Sequence, residues 1–453
     1  MRKKARRAKP KACYSQKMDF GWRARRRLFQ ERSLLEVNEY RRQSRQQSPA
    51  PKANLLRWFS DRLPIISFLN KNFTHYYLPN NLNFWYIFGS LSLFVLVLQI
   101  LSGIWLTLFY TPTPEAAFNS IEMMMREVPY GWLLRYLHST GASFFFIIIY
   151  CHMFRSLLYG SYKKPRELVW LIGVGLYITL LAEAFLGYLL PWGQMSYWAS
   201  QVATSLLASI PKVGPDLMLW FRGDLAVSGE TLHRFFALHI IGVPLLLLFL
   251  VWLHLIALRR VGPNNPDGIS HNLKDKKFST TLPFHPYYTV KDLFALTIFL
   301  LIFCAVVFFA PEMGGYFIEA NNFTPANPLL TPKHIAPLWY LAPFYGMLCI
   351  IPNKLFGILT MLSAIFILFT LPWLDHSRVN SLRYRGWYSR TALAIFTLSF
   401  GLLSYLSTSQ LTPVKITCMQ ALAINYFLFF YLMPIYTKYE AKPILRKSKK
   451  IHV

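Results

Sequence analysis

Eight long apolar segments constrain the fold of this chain more than any other feature of its sequence. Each is long enough to cross the roughly 30 Å hydrocarbon core of a bilayer as a helix, and the chain of 453 residues is 54% hydrophobic. The sequence therefore predicts an all-α polytopic membrane protein with eight transmembrane helices, at about residues 84–110, 132–158, 168–190, 231–258, 289–310, 354–374, 389–408 and 413–436.

The positive charge of the chain is distributed unevenly between the loops. The formal charge is +28, which by itself could indicate a nucleic-acid partner. Basic residues are concentrated in alternate loops, 159–167, 259–288 and 375–388, and are sparse in the longer intervening loops, 111–131, 191–230 and 311–353. The positive-inside rule then places the basic loops and both termini on the cytoplasmic or matrix side. We interpret the charge as an adaptation to a lipid bilayer, with no nucleic acid involved.

The N-terminal residues 1–50 form a basic head with sixteen Lys or Arg against four acids. We interpret this head as a solvated tail that touches anionic lipid. A transit peptide is an alternative because the first eighteen residues lack acids, and Met18 is an alternative start. The predicted organisation is a basic head with a surface helix, a first bundle, a second group of four helices and a basic tail, at 1–78, 79–260, 261–437 and 438–453.

Two of the predicted spans each contain a pair of histidines. His138 and His152 are fourteen residues apart, so they face nearly the same way, about 40° apart and roughly 21 Å apart along the helix. His239 and His254 repeat the pattern in the fourth span with an interval of fifteen. Titratable groups in hydrocarbon are costly and usually have partners inside the bundle. Two facing helices with an upper and a lower imidazole each predict two haems with two axial histidines apiece.

The longer interval in the fourth span needs an explanation, because fifteen residues overshoot the helix face by about 60°. Pro244 lies between the two histidines and removes one backbone hydrogen bond. A wide turn near this proline could absorb the extra residue.

Glycines and arginines accompany the histidine pairs. Gly89 and Gly103 in the first span, and Gly173 and Gly187 in the third, share the interval of fourteen, and glycine leaves room for the edge of a flat ring. The arginines beside the ligands are candidate partners of haem propionates, namely Arg135, Arg155 and Arg234. Close helix packing and snorkelling to lipid headgroups are the ordinary alternatives for these residues.

Several further motifs lie in the same order as in one known family. These are "GYLLPWGQMSYWAS" (187–200), "GPNNPDG" (262–268), "FHPYYTVKD" (284–292) and "APLWY" (336–340). With the four histidines, they resemble cytochrome b of the quinol:cytochrome c oxidoreductase, the cytochrome bc complex or complex III. The resemblance runs from about residue 55 to 437 and looks proteobacterial.

The resemblance implies a haem-binding four-helix bundle formed by the first four spans, with two non-covalent b haems. His138 and His239 would hold the outer haem, and His152 and His254 the inner one. It also implies a quinol oxidation site on the outer face and a quinone reduction site on the inner face, with ubiquinol and ubiquinone as substrates. The expected function is vectorial electron transfer that contributes to the proton-motive force through a Q cycle.

At the outer site the resemblance points to Tyr188, Pro337, Trp339 and Tyr340. Aromatic rings and prolines suit a rigid pocket for a flat ring, although interfacial packing of aromatic residues is the alternative.

Two positions at the outer site depart from the usual family pattern. Leu338 stands where the family often has glutamate, so it cannot accept a proton from quinol. We predict Glu183, a costly carboxylate in the third span, as the substitute acceptor, with a structural, hydrogen-bonded group as the alternative. Ala199 stands where many relatives have glycine, and its methyl group predicts weak sensitivity to methoxyacrylate-type inhibitors.

At the inner site the resemblance points to Lys291 and Asp292, which could exchange protons with a reduced quinone. Arg259 replaces a histidine that the family often has there. No C-x-x-C-H haem attachment motif or iron–sulfur motif occurs, so the electron partners are expected to be separate subunits. The resemblance implies a Rieske-type iron–sulfur protein and a c-type cytochrome. A homodimer of the complex in a bacterial inner membrane is expected, with the mitochondrial inner membrane as the alternative.

Two functions of other kinds remain open from the sequence. An ion or solute transporter also uses intramembrane His and Glu with broken helices, but it needs neither four histidines in register nor visible absorbance. A haem-b membrane anchor of a dehydrogenase or hydrogenase is usually shorter and lacks the "PWGQMS" and "LWY" motifs.

Overall fold

The computed structural model describes Trp58, Arg62, Leu63, Ser67 and residues 74–268, 281–335 and 337–448, of which 441–448 are described by their backbone alone. The chain divides into two units, Met1–Asn72 and Phe73–Val453. In the first unit, Arg62 donates a hydrogen bond of 3.3 Å to the carbonyl of Trp58. The predictions for the basic head, including Met18, lie outside the described residues, and all features below belong to the second unit.

The second unit is almost entirely helical, and eight of its helical segments are long and apolar enough to cross a membrane. These are Phe84–Thr107, Gly131–Tyr159, Glu167–Leu189, Gly229–Val261, Phe284–Phe309, Lys354–Leu374, Trp387–Ser407 and Pro413–Tyr431. The predicted eight-helix architecture is confirmed, with every span at the expected place in the chain.

We number the helices in chain order. They are α1 Phe88–Thr107, α2 Ala117–Glu127, α3 Gly131–Tyr159, α4 Glu167–Leu189, α5 Gln194–Ser205, α6 Gly214–Arg222, α7 Gly229–Ala237, α8 Val243–Val261, α9 Thr289–Phe309, α10 Ala342–Cys349, α11 Lys354–Phe366, α12 Leu371–Leu374, α13 Trp387–Ser407, α14 Pro413–Tyr431 and α15 Met433–Ser448. Two short strands, β1 Tyr77–Pro79 and β2 Thr281–Pro283, pair antiparallel.

The first four spans pack in pairs, α1 against α3 and α4 against α8. A partly buried hydrogen bond of 3.1 Å joins the hydroxyls of Tyr150 in α3 and Tyr177 in α4. In hydrocarbon, such polar groups need an internal partner, so this bond helps to hold α3 and α4 together.

The fourth span is not one regular helix. A π-helical turn at Leu238–Gly242 separates α7 from α8, and Pro244 follows at the start of α8. A π-helical turn holds more residues than an α-helical turn, so it absorbs the extra residue between His239 and His254. The wide turn predicted from the fifteen-residue interval is therefore present.

The second half of the chain joins the first through α9, which packs against α3, and through the segment 337–349. In this half α13 packs against α14 and α10, and the buried Tyr426 hydroxyl donates to the Ala364 carbonyl at 2.7 Å. One buried hydrophobic core runs through both halves, which places the "PLWY" segment against the first bundle.

The three basic loops meet at one end of the bundle. Asp375, whose side chain is fully buried, forms ion pairs with Lys163 at 3.1 Å and with Arg385 at 2.6 Å. Tyr162 donates to the same carboxylate at 2.7 Å. Arg166 donates to the Gly262 carbonyl at 2.8 Å. These contacts confirm that loops 159–167, 259–288 and 375–388 share a side, which we call the inner end.

Candidate functional site

The upper histidine pair lies toward the end of the bundle opposite the basic loops, which we call the outer end. The ring centres of His138, in α3, and His239, in the wide turn, are 6.1 Å apart and the ring planes are perpendicular. Nδ1 of His138 is 3.0 Å from the Ser102 hydroxyl, and this hydroxyl donates to the Leu98 carbonyl at 2.7 Å. Ser102 therefore accepts a hydrogen bond from His138, which leaves Nε2 free.

His239 is held by Glu183 in two ways. Its Nδ1 lies 3.0 Å from the backbone carbonyl oxygen of Glu183 and 3.0 Å from the carboxylate oxygen Oε1. Since both neighbours are acceptors, Nδ1 carries the proton and donates it. The other carboxylate oxygen, Oε2, is buried without a hydrogen-bond partner among the described residues.

The lower pair repeats this arrangement near the inner end with different neighbours. The ring centres of His152, in α3, and His254, in α8, are 6.4 Å apart at an angle of 58°. Nδ1 of His152 is 3.2 Å from Nη2 of Arg155. Nδ1 of His254 is buried and has no hydrogen-bond partner among the described residues.

Each of the four predicted glycines faces one of these imidazoles. A Cβ atom added at Gly103 would lie 3.1 Å from Cε1 of His138, and one at Gly187 would lie 2.4 Å from Cε1 of His239. At Gly89 and Gly173 the corresponding distances to His152 and His254 are both 3.3 Å. The glycines therefore allow α1 and α4 to approach the imidazoles closely, and the role predicted for them beside the edge of a cofactor ring stays a prediction.

The separation within each pair fits a single metal ion between two imidazoles. Two metal–nitrogen bonds of about 2 Å, with about 1 Å from each nitrogen to its ring centre, add up to roughly 6 Å, close to both measured separations. At the outer pair Nδ1 of both histidines is engaged by a neighbour, so Nε2 of each ring would be available to hold haem iron. The four histidines therefore fit two b haems, one at each level.

A cavity of about 580 Å³ opens beside the outer pair. Its wall includes His138, His239, Gly103 and Gly187, and it continues to Tyr188, Leu338 and Tyr340 together with Phe317, Ile318 and Asn322. The outer histidines and the aromatic segment predicted for quinol thus lie on one continuous space.

The three predicted propionate partners have different environments. Arg135 lines the outer cavity. Arg155 donates to the Ser161 hydroxyl at 3.1 Å, and its Nε is buried without a hydrogen-bond partner among the described residues. Arg234 is exposed, donates to the Trp220 carbonyl and does not line the cavity. The structure therefore brings Arg135 and Arg155 to the histidine pairs but leaves Arg234 outside the cavity.

The residues predicted for quinol divide in the same manner. Tyr188 lines the cavity, and its hydroxyl is buried without a hydrogen-bond partner among the described residues. Tyr340 also lines the cavity, and burial raises the pKa of its phenol far above the ordinary value of 10. Pro337, Trp339 and Ala199 do not form part of the cavity wall. Ala199 lies half-buried in α5.

Hydrogen bonds from distant helices hold the "PLWY" segment in place. Tyr150 donates to the Tyr340 carbonyl at 2.7 Å, and Ser404 donates to the Trp339 carbonyl at 2.8 Å. The Tyr340 ring stacks on Phe146 with ring centres 3.9 Å apart. Sequence reasoning missed Tyr150, Phe146 and Ser404, because nothing in their local pattern separates them from ordinary polar or aromatic residues of a span.

At the inner end, Lys291 donates to the Leu82 carbonyl at 2.6 Å, and Asp292 is half-buried beside it in α9. The Arg259 guanidinium lies 4.5 Å from the ring centre of Tyr76, a cation–π distance. Lys291 thus contacts the segment just before α1, whereas Arg259 contacts Tyr76, just before β1.

The "GPNNPDG" motif links the inner ends of several helices. Asn264 accepts hydrogen bonds from Ser161 at 2.7 Å and from Tyr86 at 3.0 Å. Asp267 accepts one of 2.9 Å from Tyr384. Because Ser161 also bonds Arg155, the motif supports the arginine beside the inner histidine pair.

Comparison with known proteins decides the family. Residues 73–262 match the family model described as cytochrome b/b6/petB, and residues 325–427 match that of the C-terminal part of cytochrome b/b6/petD. A cytochrome b of Allochromatium vinosum is 50% identical over 407 residues, covering 87% of this chain and 98% of the relative. This chain belongs to the cytochrome b family.

Other relatives agree with this membership. A cytochrome b of Rickettsia bellii is 46% identical over 391 residues, covering 86% of this chain and 95% of the relative. A solved structure described as a hyperthermophilic respiratory Complex III matches with a TM-score of 0.80 and 38% identity, covering 85% of this chain and 99% of the other. As a cytochrome b, the protein binds b-type haem and transfers electrons. Membership of this family argues against the alternative of an ion or solute transporter.

Proposed function

We propose that the chain is the cytochrome b subunit of a respiratory bc complex, with two non-covalent b haems. His138 and His239 hold the outer haem, and His152 and His254 hold the inner one. The observation that carries this proposal is the pair of imidazole–imidazole separations, 6.1 Å and 6.4 Å, at two levels of one bundle. Bound there, the haems supply a one-electron carrier at each level.

The outer cavity is the proposed site of quinol oxidation. It combines apolar walls with a few polar groups, as pockets for flat organic ligands do. The protonated Tyr340 hydroxyl and the unpartnered Tyr188 hydroxyl are available to orient the quinol ring. Pro337 and Trp339 lie outside the cavity wall, and their proposed role is to fix the backbone conformation of Leu338 and Tyr340.

Proton acceptance at this site falls to Glu183 in our proposal, because Leu338 has no acid–base group. Glu183 lines the cavity, and its Oε2 has no partner among the described residues. Replacement by Gln should slow quinol oxidation and change its pH dependence in the purified complex. An unchanged rate with an unchanged pH profile would refute this role.

Quinone reduction is proposed at the inner end, beside Lys291, Asp292 and Arg259. A carboxyl group next to an ammonium group can deliver protons to a reduced quinone. Quinol oxidation outside and quinone reduction inside, as a Q cycle, would release and take up protons on opposite faces and contribute to the proton-motive force.

The chain needs partners to complete the reaction. We propose a Rieske-type iron–sulfur subunit and a c-type cytochrome subunit as electron acceptors, ubiquinol and ubiquinone as substrates, and a homodimeric complex. The proposed location is a bacterial inner membrane with both termini cytoplasmic, because the inner-end loops carry the excess of basic residues.

The test is a reduced-minus-oxidised optical spectrum of the purified complex, with haem counted per cytochrome b polypeptide. Two b haems are expected in the wild type. The His254→Leu variant should lose one of them. His233→Leu is the matched control, because His233 is an exposed histidine on the same span as His239 and should leave both haems in place. A complex with one haem or none would refute the proposal.

A further inference from the structure

The four imidazoles differ in what faces Nδ1, the nitrogen turned away from the proposed iron. His138 has a hydroxyl, from Ser102, and His152 has a guanidinium, from Arg155. His254 has no partner among the described residues. His239 alone among these four contacts a carboxylate, that of Glu183, at 3.0 Å.

We propose that Glu183 is a positioning residue that tunes the outer haem through His239. The proposal rests on the assignment of His138 and His239 to that haem. By accepting the hydrogen bond from Nδ1, the carboxylate fixes the ring orientation and directs Nε2 toward the iron position. It also lowers the reduction potential of the outer haem.

The direction of the effect follows from the chemistry of the hydrogen bond. A carboxylate that accepts a proton from a metal-bound imidazole makes this ligand more basic. A more basic ligand stabilises the more highly charged, oxidised iron, so reduction becomes less favourable. Hydrogen bonding around the axial ligand is one of the means by which a protein sets haem potential.

Among the described residues, few groups other than His239 interact with the Glu183 carboxylate. The carboxylate side chain is 15% exposed, and its only recorded ion-pair partner among the described residues is His239. Oε2 has no hydrogen-bond partner there. Buried charges interact more strongly than exposed ones because less water screens them. A neighbouring imidazole should therefore feel most of this charge.

The inner haem site lacks the corresponding carboxylate. Glu183 precedes Gly187 by four residues, and the residue that precedes Gly173 by four is Val169. Glu183 and Val169 are thus fourteen residues apart on α4, the same interval that separates the two glycines. The sequence places a carboxylate at one level of this internal repeat and an aliphatic side chain at the other, so the effect should be confined to the outer haem.

The experiment is redox potentiometry of the two b haems in the purified intact complex, monitored optically, for the wild type and Glu183→Gln. Glutamine keeps the size of the side chain but removes its charge. The reduced-to-oxidised ratio of the outer haem at a fixed applied potential should rise at least about tenfold, which is about 59 mV for a one-electron couple. The potential of the inner haem should stay the same.

A matched control separates the contact from a general field effect. Glu230→Gln removes an exposed carboxylate from the same span as His239. Solvent and salt screen charges at exposed positions. In this variant the reduced-to-oxidised ratio of each haem, at the same applied potential, should therefore stay within a factor of two of the wild-type ratio. An equal shift in both variants would overturn the proposal, and so would an unchanged potential in Glu183→Gln.

A second variant is needed if Glu183→Gln loses the outer haem, because its reduction potential could then not be measured. In that case Glu183→Asp, which keeps a carboxylate, should retain the haem with a reduced-to-oxidised ratio within threefold of the wild type. Loss of the haem from both variants would show that a carboxylate at this position does not suffice to keep the haem, and would overturn the proposal. The wild-type spectrum distinguishes failure of this inference from failure of the proposed function, because a wild-type complex without two b haems would refute the proposed function.

Discussion

Replacement of Gly187 by alanine should selectively weaken the outer haem site. The added methyl carbon would lie 2.4 Å from Cε1 and 2.8 Å from Nε2 of His239. Carbon atoms in contact prefer about 3.5–4.0 Å, so the imidazole must recede by about 1 Å. Overpacking of this kind costs about 1–3 kcal/mol, which corresponds to roughly 5- to 150-fold weaker retention of haem.

The other glycines provide a graded series on the same scale. The same methyl group would meet His138 at 3.1 Å in Gly103→Ala, and would meet His152 and His254 at 3.3 Å in Gly89→Ala and Gly173→Ala. The expected order of haem loss is therefore Gly187 first, Gly103 next, and the two inner positions last and about equally. The inner haem should remain in the Gly187 variant.

The assay is the haem content per polypeptide, resolved into outer and inner components by stepwise reduction of the purified complex. Gly175→Ala is the matched control, since Gly175 lies on the same helix and an added Cβ there has no neighbour within 4 Å. Alanine should even stabilise that helix by about 0.5–1 kcal/mol. Equal retention of the outer haem in the Gly187 and Gly175 variants would refute the reasoning.

Two further predictions concern other parts of the molecule. Burial opposes ionisation of Asp375, but Arg385 and Lys163 outweigh it and lower the pKa of Asp375 below 3.8. Thermal unfolding measured against pH should show that Asp375→Asn is less stable than the wild type by about 3–5 kcal/mol near neutrality. This difference in stability should persist above the ordinary pKa of Asp and disappear as the pH falls through the lower pKa of the folded protein. A difference in stability that grows as the pH falls would contradict the prediction. Ala199 lies outside the cavity wall, so Ala199→Gly tests the crowding predicted from the sequence. Stronger inhibition of quinol oxidation by a methoxyacrylate in the variant would support crowding, and potent inhibition of the wild type with no change in the variant would disprove it.

The sequence predicted the features that depend on periodicity along one helix. The eight spans follow from apolar length alone, and the wide turn at Leu238–Gly242 follows from the mismatch between fifteen and fourteen residues. The equal spacing of Gly173 and Gly187 likewise placed both glycines on one face of the helix, where each faces an imidazole. Such features depend on the regular geometry of the helix, which local sequence specifies.

Features that depend on contacts between distant segments were not predictable in the same manner. Arg135 precedes His138 by three residues and Arg234 precedes His239 by five. Only Arg135 lines the cavity, and the hydrogen bond from Arg234 to the Trp220 carbonyl joins two different helices. Lys163 and Asp375 lie far apart in the chain, and neither local pattern indicates a partner. The contact between Glu183 and His239 likewise depends on how α4 meets the wide turn.

The wide turn also affects how the fourth span responds to changes in length. An inserted residue in an ordinary helix rotates every later side chain by about 100°, which would exchange lipid-facing and core-facing positions throughout α8. Here the surplus residue is contained within five positions, Leu238–Gly242, and everything that follows keeps the phase of a shorter helix. The π-helical turn thus confines the effect of an insertion to one place, so this span can gain a residue without any rearrangement of the helices around it.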